Sequence, residues 1–456
     1  MTQLVLEEYD DASTNFESFV VRLNLILGLA LIVALSDRSS ISKCLRGDQL
    51  LHPTLLIFLS VYVLFAAGDW CQGPYFHAIY VQKNISEQNI AMIFTAGYVS
   101  AMLFGWVVGP WIDILGRKKS CTLFALLFIL SALSTSSSNY GVLILGRVCG
   151  GAASSLLHTA PEAWLVSEMK RHNVPKNQNS FFFGAQHFFS FVSAICVGQI
   201  THHLESRVDT FATFQLSACL VCVGTIIMFV SWRENYGIND MKMTGKKQTS
   251  NHVSAYQIIR NDMNVFLVGF AQSFFDSAVY IFVLLWSSML RQASFANNIQ
   301  RIPFGQIFSA FMMCLMLGSC VQNTLSSKIR KRVFLYLSCF MILAAMCLAF
   351  CTSESVRFDP IVMVVLFCVF EFVVGLYKPV LASARSMVIT CHVRSAVMAL
   401  FRVPLNMMVI LTYSAYSSGL LDQKSLMLVA STFIILSSIS VFALYRRSLS
   451  EGRKKL

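Results

Sequence analysis

Charged residues are scarce in this sequence: Asp, Glu, Lys and Arg together make up 13% of its 456 residues, and 56% are hydrophobic. A soluble domain usually carries about 25% charged residues, so this composition excludes a soluble globular protein. The apolar runs also lack the apolar–polar alternation of membrane β-barrel strands. Because lipid requires every backbone polar group to be hydrogen-bonded within the chain, the sequence predicts membrane-spanning helices.

Other kinds of motif are missing too. No glycine-rich nucleotide-phosphate motif is present, which argues against an ATP-driven pump and for a carrier driven by a gradient. The 14 cysteines lie mostly inside apolar runs and are interpreted as small packing residues. We therefore expect no enzymatic activity, no cofactor, no bound metal and no nucleic-acid partner.

Thirteen apolar runs are long enough to predict transmembrane helices in a lipid bilayer. They cover residues 19–35, 52–81, 90–111, 121–135, 141–168, 181–201, 211–232, 264–290, 303–321, 333–351, 360–389, 396–418 and 425–445. The first run is an extra helix, and the longest polar connection divides the other twelve into two sets of six. We predict an all-α membrane protein whose parts are an N-terminal segment with the extra helix and a basic linker (1–50), a six-helix bundle (51–233), a central loop (234–263), a second six-helix bundle (264–446) and a tail (447–456).

Basic residues are concentrated in alternate loops, such as "GRKKS" at residues 116–120 and "RRSLSEGRKK" at 446–455, whereas the N-terminal "EEYDD" is acidic. The positive-inside rule then predicts an extracellular N-terminus, with the central loop and the C-terminus in the cytoplasm. A cleaved signal peptide is the alternative for the first run, but its leader lacks a positively charged n-region. The sequon at Asn84 falls on the extracellular side, in a loop so short that glycosylation there stays open.

Two short matches suggest that the halves are repeats. "SAMLFGWVVG" at 100–109 resembles "SAFMMCLMLG" at 309–318, and the spacing of Arg147 and Gly151 recurs in Glu371 and Gly375. Chance spacing is the alternative for either match. Parallel repeats of this kind build two-bundle transporters.

The segment "GPWIDILGRKK" at residues 109–119 fits the G-x-x-x-D-x-x-G-R-K/R pattern of the major facilitator superfamily. Gly116 permits a tight turn, Asp113 can accept hydrogen bonds from a nearby helix N-terminus, and Arg117 can pair with acids on a neighbouring helix. We interpret the segment as a cytoplasmic latch. Positive-inside bias alone would explain its lysines but not Asp113 and Gly116. The second half lacks the motif, because Gln322 stands where the aspartate would be.

Further motifs narrow the resemblance. "DWCQGPY" at 69–75, "GRVCGG" at 146–151 followed by "EAW", "WREN" at 232–235, "GLYKP" at 375–379 and "FRVPLN" at 401–406 resemble the molybdate-anion transporter family over residues 51–446. The resemblance implies a major facilitator fold and uptake of molybdate, a small divalent inorganic anion, across the plasma membrane. We expect a monomer. Lys378 and His158 depart from the residues usual in the family, so the substrate pocket of this chain need not match the family's.

Asp69 lies inside an apolar run, where a carboxylate costs about 3 kcal/mol on membrane-insertion scales and needs a partner or a wet cavity. The resemblance implies that the first and fourth helices of each half line a central cavity, which makes Arg147 its candidate partner. Two readings stay open: a permanent ion pair, or a pair that opens when Asp69 is protonated and so couples transport to a proton. Gly73 and Pro74 are expected to loosen the helix beside Asp69.

A divalent anion needs charge-assisted hydrogen bonds to replace its water, so basic residues and hydroxyl or imidazole donors are the candidate contacts. Lys378 is the first choice, although a lysine that extends to the cytoplasmic surface is the alternative. The candidate substrate-binding residues are Lys378, Arg147, Tyr377, His158, Tyr75, Glu371 and Asp276. The candidate gate residues are Asp113, Gly116, Arg117, Glu162, Glu168, Arg385 and Arg402.

Three functions therefore stay open. The first is a secondary-active importer of molybdate or a similar oxyanion. The second is a carrier for an organic solute or cation, because the acids Asp69, Asp276 and Glu371 are numerous for a dedicated anion site. The third is a transporter-like receptor that does not cycle.

Overall fold

The computed structural model describes residues 2–36, 52–174, 179–236, 256–328, 332–354, 356, 358–389 and 394–454. Within these ranges the regular structure is helical, as predicted. The first helices are α1 (Thr2–Ser36), α2 (Pro53–Gln72), α3 (Phe76–Gln82), α4 (Glu87–Leu115), α5 (Arg117–Ser134), α6 (Tyr140–Leu157), α7 (Ala160–Arg171), α8 (Asn179–Arg207) and α9 (Thr210–Ser231). The later helices are α10 (Met263–Ala296), α11 (Phe304–Lys328), α12 (Val333–Phe350), α13 (Pro360–Val388), α14 (Arg394–Ser417) and α15 (Gln423–Lys454).

Side-chain caps fix where several helices begin. Asn139, Asp209 and Asp359 each accept hydrogen bonds from backbone N–H groups in the first turn of the helix that follows. Such caps satisfy donors that a helix N-terminus leaves unpaired. Among the described residues, ten helices are long and apolar enough to cross a membrane, which agrees with a multi-span protein.

The chain divides into two compact units. One comprises Ser36–Lys246 with Phe304–Ser309, and the other comprises Met1–Leu35, Lys247–Pro303 and Ala310–Leu456. The extra helix α1 therefore belongs with the C-terminal unit. There the Ser13 hydroxyl accepts a hydrogen bond from the Gln300 backbone N–H at 3.3 Å, and Gly28 faces the sulfur of Met313.

In the N-terminal unit, α4 and α6 pack almost backbone to backbone. A Cβ added at Gly151 would lie 2.1 Å from the carbonyl oxygen of Gly97, so no side chain fits at that position. The Ser100 hydroxyl donates to the carbonyl of Val148 at 2.6 Å, one turn away along the same contact. Glycine at position 151 is therefore required by the close approach of the two helices.

The C-terminal unit repeats this contact between α11 and α13. A Cβ at Gly375 would lie 2.0 Å from the carbonyl oxygen of Leu315, and one at Gly318 would lie 2.1 Å from that of Phe372. Gly375 thus occupies the place of Gly151, as the spacing in the fourth helix of each half predicted.

The sequence match between the second helices of the two halves pairs different residues from those that occupy equivalent positions in the helix contacts. Leu315 opposes Gly375 as Gly97 opposes Gly151, and Gly318 opposes Phe372 as Ser100 opposes Val148. The sequence match paired Ser100 with Ser309 instead. The similarity of the two segments therefore does not follow the helix contact that the two units share.

Candidate functional site

The helix that carries Asp69 is broken just beyond it. α2 ends at Gln72, a 3-10 turn covers Gly73–Tyr75, and α3 continues from Phe76. Pro74 lacks the N–H that a continuous α-helix would use, so the change of helix type falls where the sequence predicted a loosening. Asp69 itself is half-buried.

Arg147 lies on α6, and aromatic rings surround its guanidinium. The guanidinium carbon is 3.8 Å from the ring centroid of Phe76 and 4.8 Å from that of Phe94. The arginine stem passes over Gly97, where an added Cβ would lie 3.0 Å from Cγ and 3.4 Å from Nε. Both rings can attract the cation through their π faces.

Asp69 and Arg147 are electrostatic neighbours and do not form a contact ion pair. Arg147 is the charged group that acts on the Asp69 carboxylate. Among the described residues, however, the ion pairs within 4.0 Å do not include this one. The guanidinium N–H groups are therefore not occupied by Asp69 in this structure.

A group of neutral polar side chains beside Asp69 was not predicted. The Trp70 indole N–H donates to the Ser190 hydroxyl at 3.2 Å, and the Tyr62 hydroxyl lies near Ser190 and Gln186. These residues join α2 to α8. They were missed because an isolated tyrosine, tryptophan or serine within an apolar run looks like a packing residue.

In the C-terminal unit, Asp276 on α10 lies among basic residues from α13 and α14. Lys378, Arg385 and Arg402 all act electrostatically on its carboxylate, and the Gln272 side chain lies near it. Arg385 donates from Nη1 to the Gln272 side-chain oxygen at 2.9 Å. Arg385, expected at a gate, thus lies in the same polar cluster as Asp276.

The other candidates on α13 differ in exposure. Glu371 and Tyr377 are buried, and Tyr377 stacks on Phe275 with 3.8 Å between ring centroids. Lys378 is exposed, as is Arg402 on α14. Lys378 is a charged group that acts on Glu371. A lysine at this position is able to reach a solute without first breaking a short ion pair.

The N-terminal unit contains two further candidate substrate-binding residues, Tyr75 and His158. Tyr75 is buried, and its hydroxyl would be 2.7 Å from a Cβ at Gly305. His158 caps the C-terminus of α6 and is exposed. No described contact joins either residue to Arg147.

The predicted latch has a different internal arrangement from the expected one. Asp113 accepts a hydrogen bond from Arg117 at 2.9 Å, one turn along the chain. The carboxylate at the N-terminus of α5 is that of Glu234, which accepts from the backbone N–H groups of Lys118 at 2.9 Å and Lys119 at 3.1 Å. Glu234 belongs to the "WREN" motif, whose role the sequence did not reveal.

Gly116 is needed at the latch for two reasons. Its φ is +103°, a backbone conformation that other residues rarely adopt, and an added Cβ would lie 2.7 Å from the Glu234 carboxylate. The neighbouring Arg117 backbone N–H donates to the carbonyl of Asn235 at 3.0 Å. The "WREN" segment therefore packs directly on the turn that Gly116 makes.

The expected gate acids separate into two kinds. Glu168 is buried and accepts hydrogen bonds from Asn235 at 3.3 Å and Arg171 at 3.4 Å. It is thus linked to Arg117 through Asn235 rather than by direct contact. Glu162 is exposed at the start of α7. Among the described residues, no group of three or more His, Cys, Asp or Glu side chains could hold a metal ion.

Charged residues inside long apolar helices, in a chain of two compact helical units, are typical of a polytopic membrane transporter. A family model described as "sugar transporters, 12 TM" matches residues 23–373. A molybdate-anion transporter of Xenopus tropicalis is 30% identical over 91% of this chain and 91% of its own length. One of Xenopus laevis is 29% identical over 94% of each chain.

A solved structure, that of the nucleoside transporter NupG, covers 87% of this chain and 99% of its own at a TM-score of 0.63 and 11% identity, which shows the shared fold. The chain belongs to the major facilitator superfamily of membrane transporters, and within it to the molybdate-anion transporter family. The sequence prediction of a transporter rather than an enzyme is confirmed.

Proposed function

We propose that the protein is a secondary-active importer of molybdate or a similar divalent oxyanion that works by alternating access. The environment of Arg147 is the observation that carries the proposal. Its guanidinium contacts Phe76 and Phe94, and no carboxylate in the described part of the chain lies within 4.0 Å of it. An arginine fork with open N–H groups suits oxyanions, which accept two parallel hydrogen bonds. The names of the relatives support molybdate as the anion.

The other proposed substrate contacts supply charge and hydrogen bonds in different places. Lys378 in the C-terminal unit is exposed and is proposed to supply a second positive charge for the anion, in addition to that of Arg147. Tyr75, Tyr377 and His158 are proposed as neutral donors. Asp276 and Glu371 are proposed to balance the charge of Lys378, because each feels its electrostatic field.

Asp69 is proposed as the residue that couples transport to a proton. It is half-buried in a membrane-spanning helix, directly before a break, and lies within the electrostatic field of Arg147. Protonation would remove the negative charge that competes with an anion for Arg147. The absence of a short ion pair supports a switchable carboxylate over a permanent structural one, because a permanent buried pair requires close geometry.

The latch is proposed to control conformational exchange without touching the substrate. Asp113, Gly116, Arg117, Glu162, Glu168, Arg385 and Arg402 are the proposed gate residues. The hydrogen bonds of Glu234 and Asn235 with the turn at Gly116 support a fastened latch.

We further propose that the protein acts as a monomer in the plasma membrane, with its N-terminus outside the cell and its C-terminus inside. The proposed parts are an N-terminal segment with an extra helix (1–50), two bundles (51–233 and 264–446), a cytoplasmic loop (234–263) and a tail (447–456). Asn84, exposed in the turn between α3 and α4, is the proposed site of glycosylation. A mobility shift on glycosidase treatment that disappears in Asn84→Gln would support both the site and the orientation.

Uptake by purified protein in liposomes tests the function. We expect labelled molybdate to accumulate when the outside is acidic, to exchange down a gradient without a pH difference, and to be competed by tungstate and sulfate. Accumulation of an organic solute and not of molybdate would favour the second candidate, which the neutral donors Tyr62, Trp70 and Ser190 beside Asp69 support. Ligand binding without any uptake would indicate a receptor.

A further inference from the structure

The short outer segment Gly73–Gln82, beyond the break in the first core helix, contacts the guanidinium of Arg147. The contact comes from Phe76, the first residue of α3, whose ring centroid lies 3.8 Å from the guanidinium carbon. At this distance the ring is in van der Waals contact with the cation. Phe76 therefore forms one wall of the space that the guanidinium occupies.

The remaining walls come from α4. Phe94 is 4.8 Å from the guanidinium carbon, and its ring is nearly perpendicular to that of Phe76, at 76° with 6.2 Å between centroids. The Nε atom is buried without a hydrogen-bond partner among the described residues, and it lies 3.4 Å from the Cβ position of Gly97. Packing thus fixes the orientation of the Arg147 side chain, and no carboxylate of the described residues lies within 4.0 Å of its guanidinium.

Polar contacts hold the outer segment itself in place. The buried His77 ring donates from Nε2 to the Glu87 carboxylate, whose oxygens lie at 2.9 and 3.1 Å. The Gln82 amide donates to the Thr210 hydroxyl at 2.7 Å. The 3-10 turn before Phe76 interrupts the α-helical hydrogen-bond pattern between α2 and α3, and these two bonds tie the segment beyond the turn to α4 and α9.

We propose that Phe76 positions the Arg147 guanidinium for an oxyanion and that the His77–Glu87 hydrogen bond holds Phe76 in this position. A ring at van der Waals distance restricts the rotamers of a long arginine side chain, which lowers the entropy lost when an anion binds. Phe76 does not hydrogen-bond the anion. It acts through Arg147, and the inference rests on the proposed function only for the identity of the ligand.

Two measurements on the purified full-length protein test the inference: molybdate affinity, and the rate at which the arginine reagent phenylglyoxal modifies Arg147, followed by mass spectrometry with the exposed Arg402 as the internal reference. Phe76→Leu should weaken molybdate binding by up to about tenfold, the upper end of the cost of ordering one mobile side chain on binding. It should also accelerate modification of Arg147. Phe76→Tyr, which keeps the ring, should restore both values to near those of the wild type.

Further variants separate positioning from a general loss of packing. His77→Phe removes the bond to Glu87 and should weaken molybdate binding about threefold, as expected for one lost hydrogen bond. Phe124→Leu is the matched control, because Phe124 is fully buried in the same unit and packs on Phe65 and Phe128 instead. It should leave the modification rate of Arg147 unchanged.

The outcomes distinguish this inference from the proposed function. If the wild type does not bind molybdate but Phe76→Leu still accelerates modification of Arg147 and Phe76→Tyr does not, the positioning role holds and the proposed anion is wrong. If Phe76→Leu changes neither affinity nor modification rate, or if Phe124→Leu has the same effect as Phe76→Leu, the positioning role is overturned.

Discussion

Removing the carboxylate of Glu234 should loosen the cytoplasmic latch. This carboxylate accepts hydrogen bonds from two backbone N–H groups at the N-terminus of α5, at 2.9 and 3.1 Å. Loss of an N-terminal cap costs about 0.5–2 kcal/mol, and a negative charge at that end adds about 0.3–1 kcal/mol. Because Glu234 is half-buried and partly screened by solvent, we expect Glu234→Ala to cost about 1–2 kcal/mol.

The amide variant should divide this loss into its two causes. Glu234→Gln retains one oxygen acceptor but no charge, so it should keep roughly half of the stabilisation. Thermal unfolding in detergent measures the effect, and Glu354→Gln is the control. Glu354 is an exposed carboxylate 3.7 Å from Lys424, a surface ion pair expected to contribute about 0–1 kcal/mol.

Transport tests whether the cap matters for the conformational cycle. If the latch controls exchange between states, Glu234→Ala and Arg117→Ala should both change the maximal uptake rate and leave ligand affinity near that of the wild type. A Glu234→Ala protein with wild-type stability and wild-type uptake would refute the reasoning. A loss of affinity in proportion to uptake would instead place the latch in the substrate site.

Three other substitutions test the remaining proposals. Asp69→Asn should abolish pH-driven accumulation of molybdate while exchange down a gradient survives. Its free energy of unfolding should fall by less than the roughly 3–5 kcal/mol of a broken buried pair, because no short bond to Arg147 is lost. Full pH-driven accumulation would contradict the coupling role. Lys378→Ala should raise the half-saturation concentration for molybdate with little loss of folded protein, since its side chain is exposed; an unchanged value would remove Lys378 from the site. Gly151→Ala should lower the yield of folded protein, since the added Cβ would lie 2.1 Å from the Gly97 carbonyl oxygen, whereas Gly184→Ala, where an added Cβ has no neighbour within 4 Å, should be tolerated.

The helical membrane fold could be predicted because its signal is carried by each segment separately. Long apolar runs and their length decide whether a segment spans the bilayer. The break after Asp69 was predictable for the same reason, because Gly73 and Pro74 change the local backbone geometry. The register between the second helices of the two halves was not predictable, because it depends on contacts such as that between Leu315 and Gly375.

The charged residues of the candidate site could be predicted from the sequence, but their neighbours could not. An isolated charge in an apolar helix is conspicuous, so Asp69, Arg147 and Asp276 were found. Their neighbours were not: Phe76 is an ordinary residue of an apolar run, and Glu234 is separated from its partner Lys118 by more than half of the N-terminal unit. Only the folded chain brings such residues together, and a single sequence without known contacts does not reveal which of many phenylalanines faces a guanidinium.

The two repeats keep the packing position and change the charge beside it. Gly151 and Gly375 both allow a neighbouring helix to approach within backbone contact, and four residues before them stand Arg147 and Glu371. A close helix contact constrains the backbone, whereas the residue one turn earlier is free to differ. Arg147 lies between aromatic rings with no carboxylate of the described residues within 4.0 Å, and Glu371 is buried within the field of Lys378. The same close helix contact therefore stands beside a cation in one unit and an acid in the other. The repeats share this packing but do not provide two equivalent anion sites.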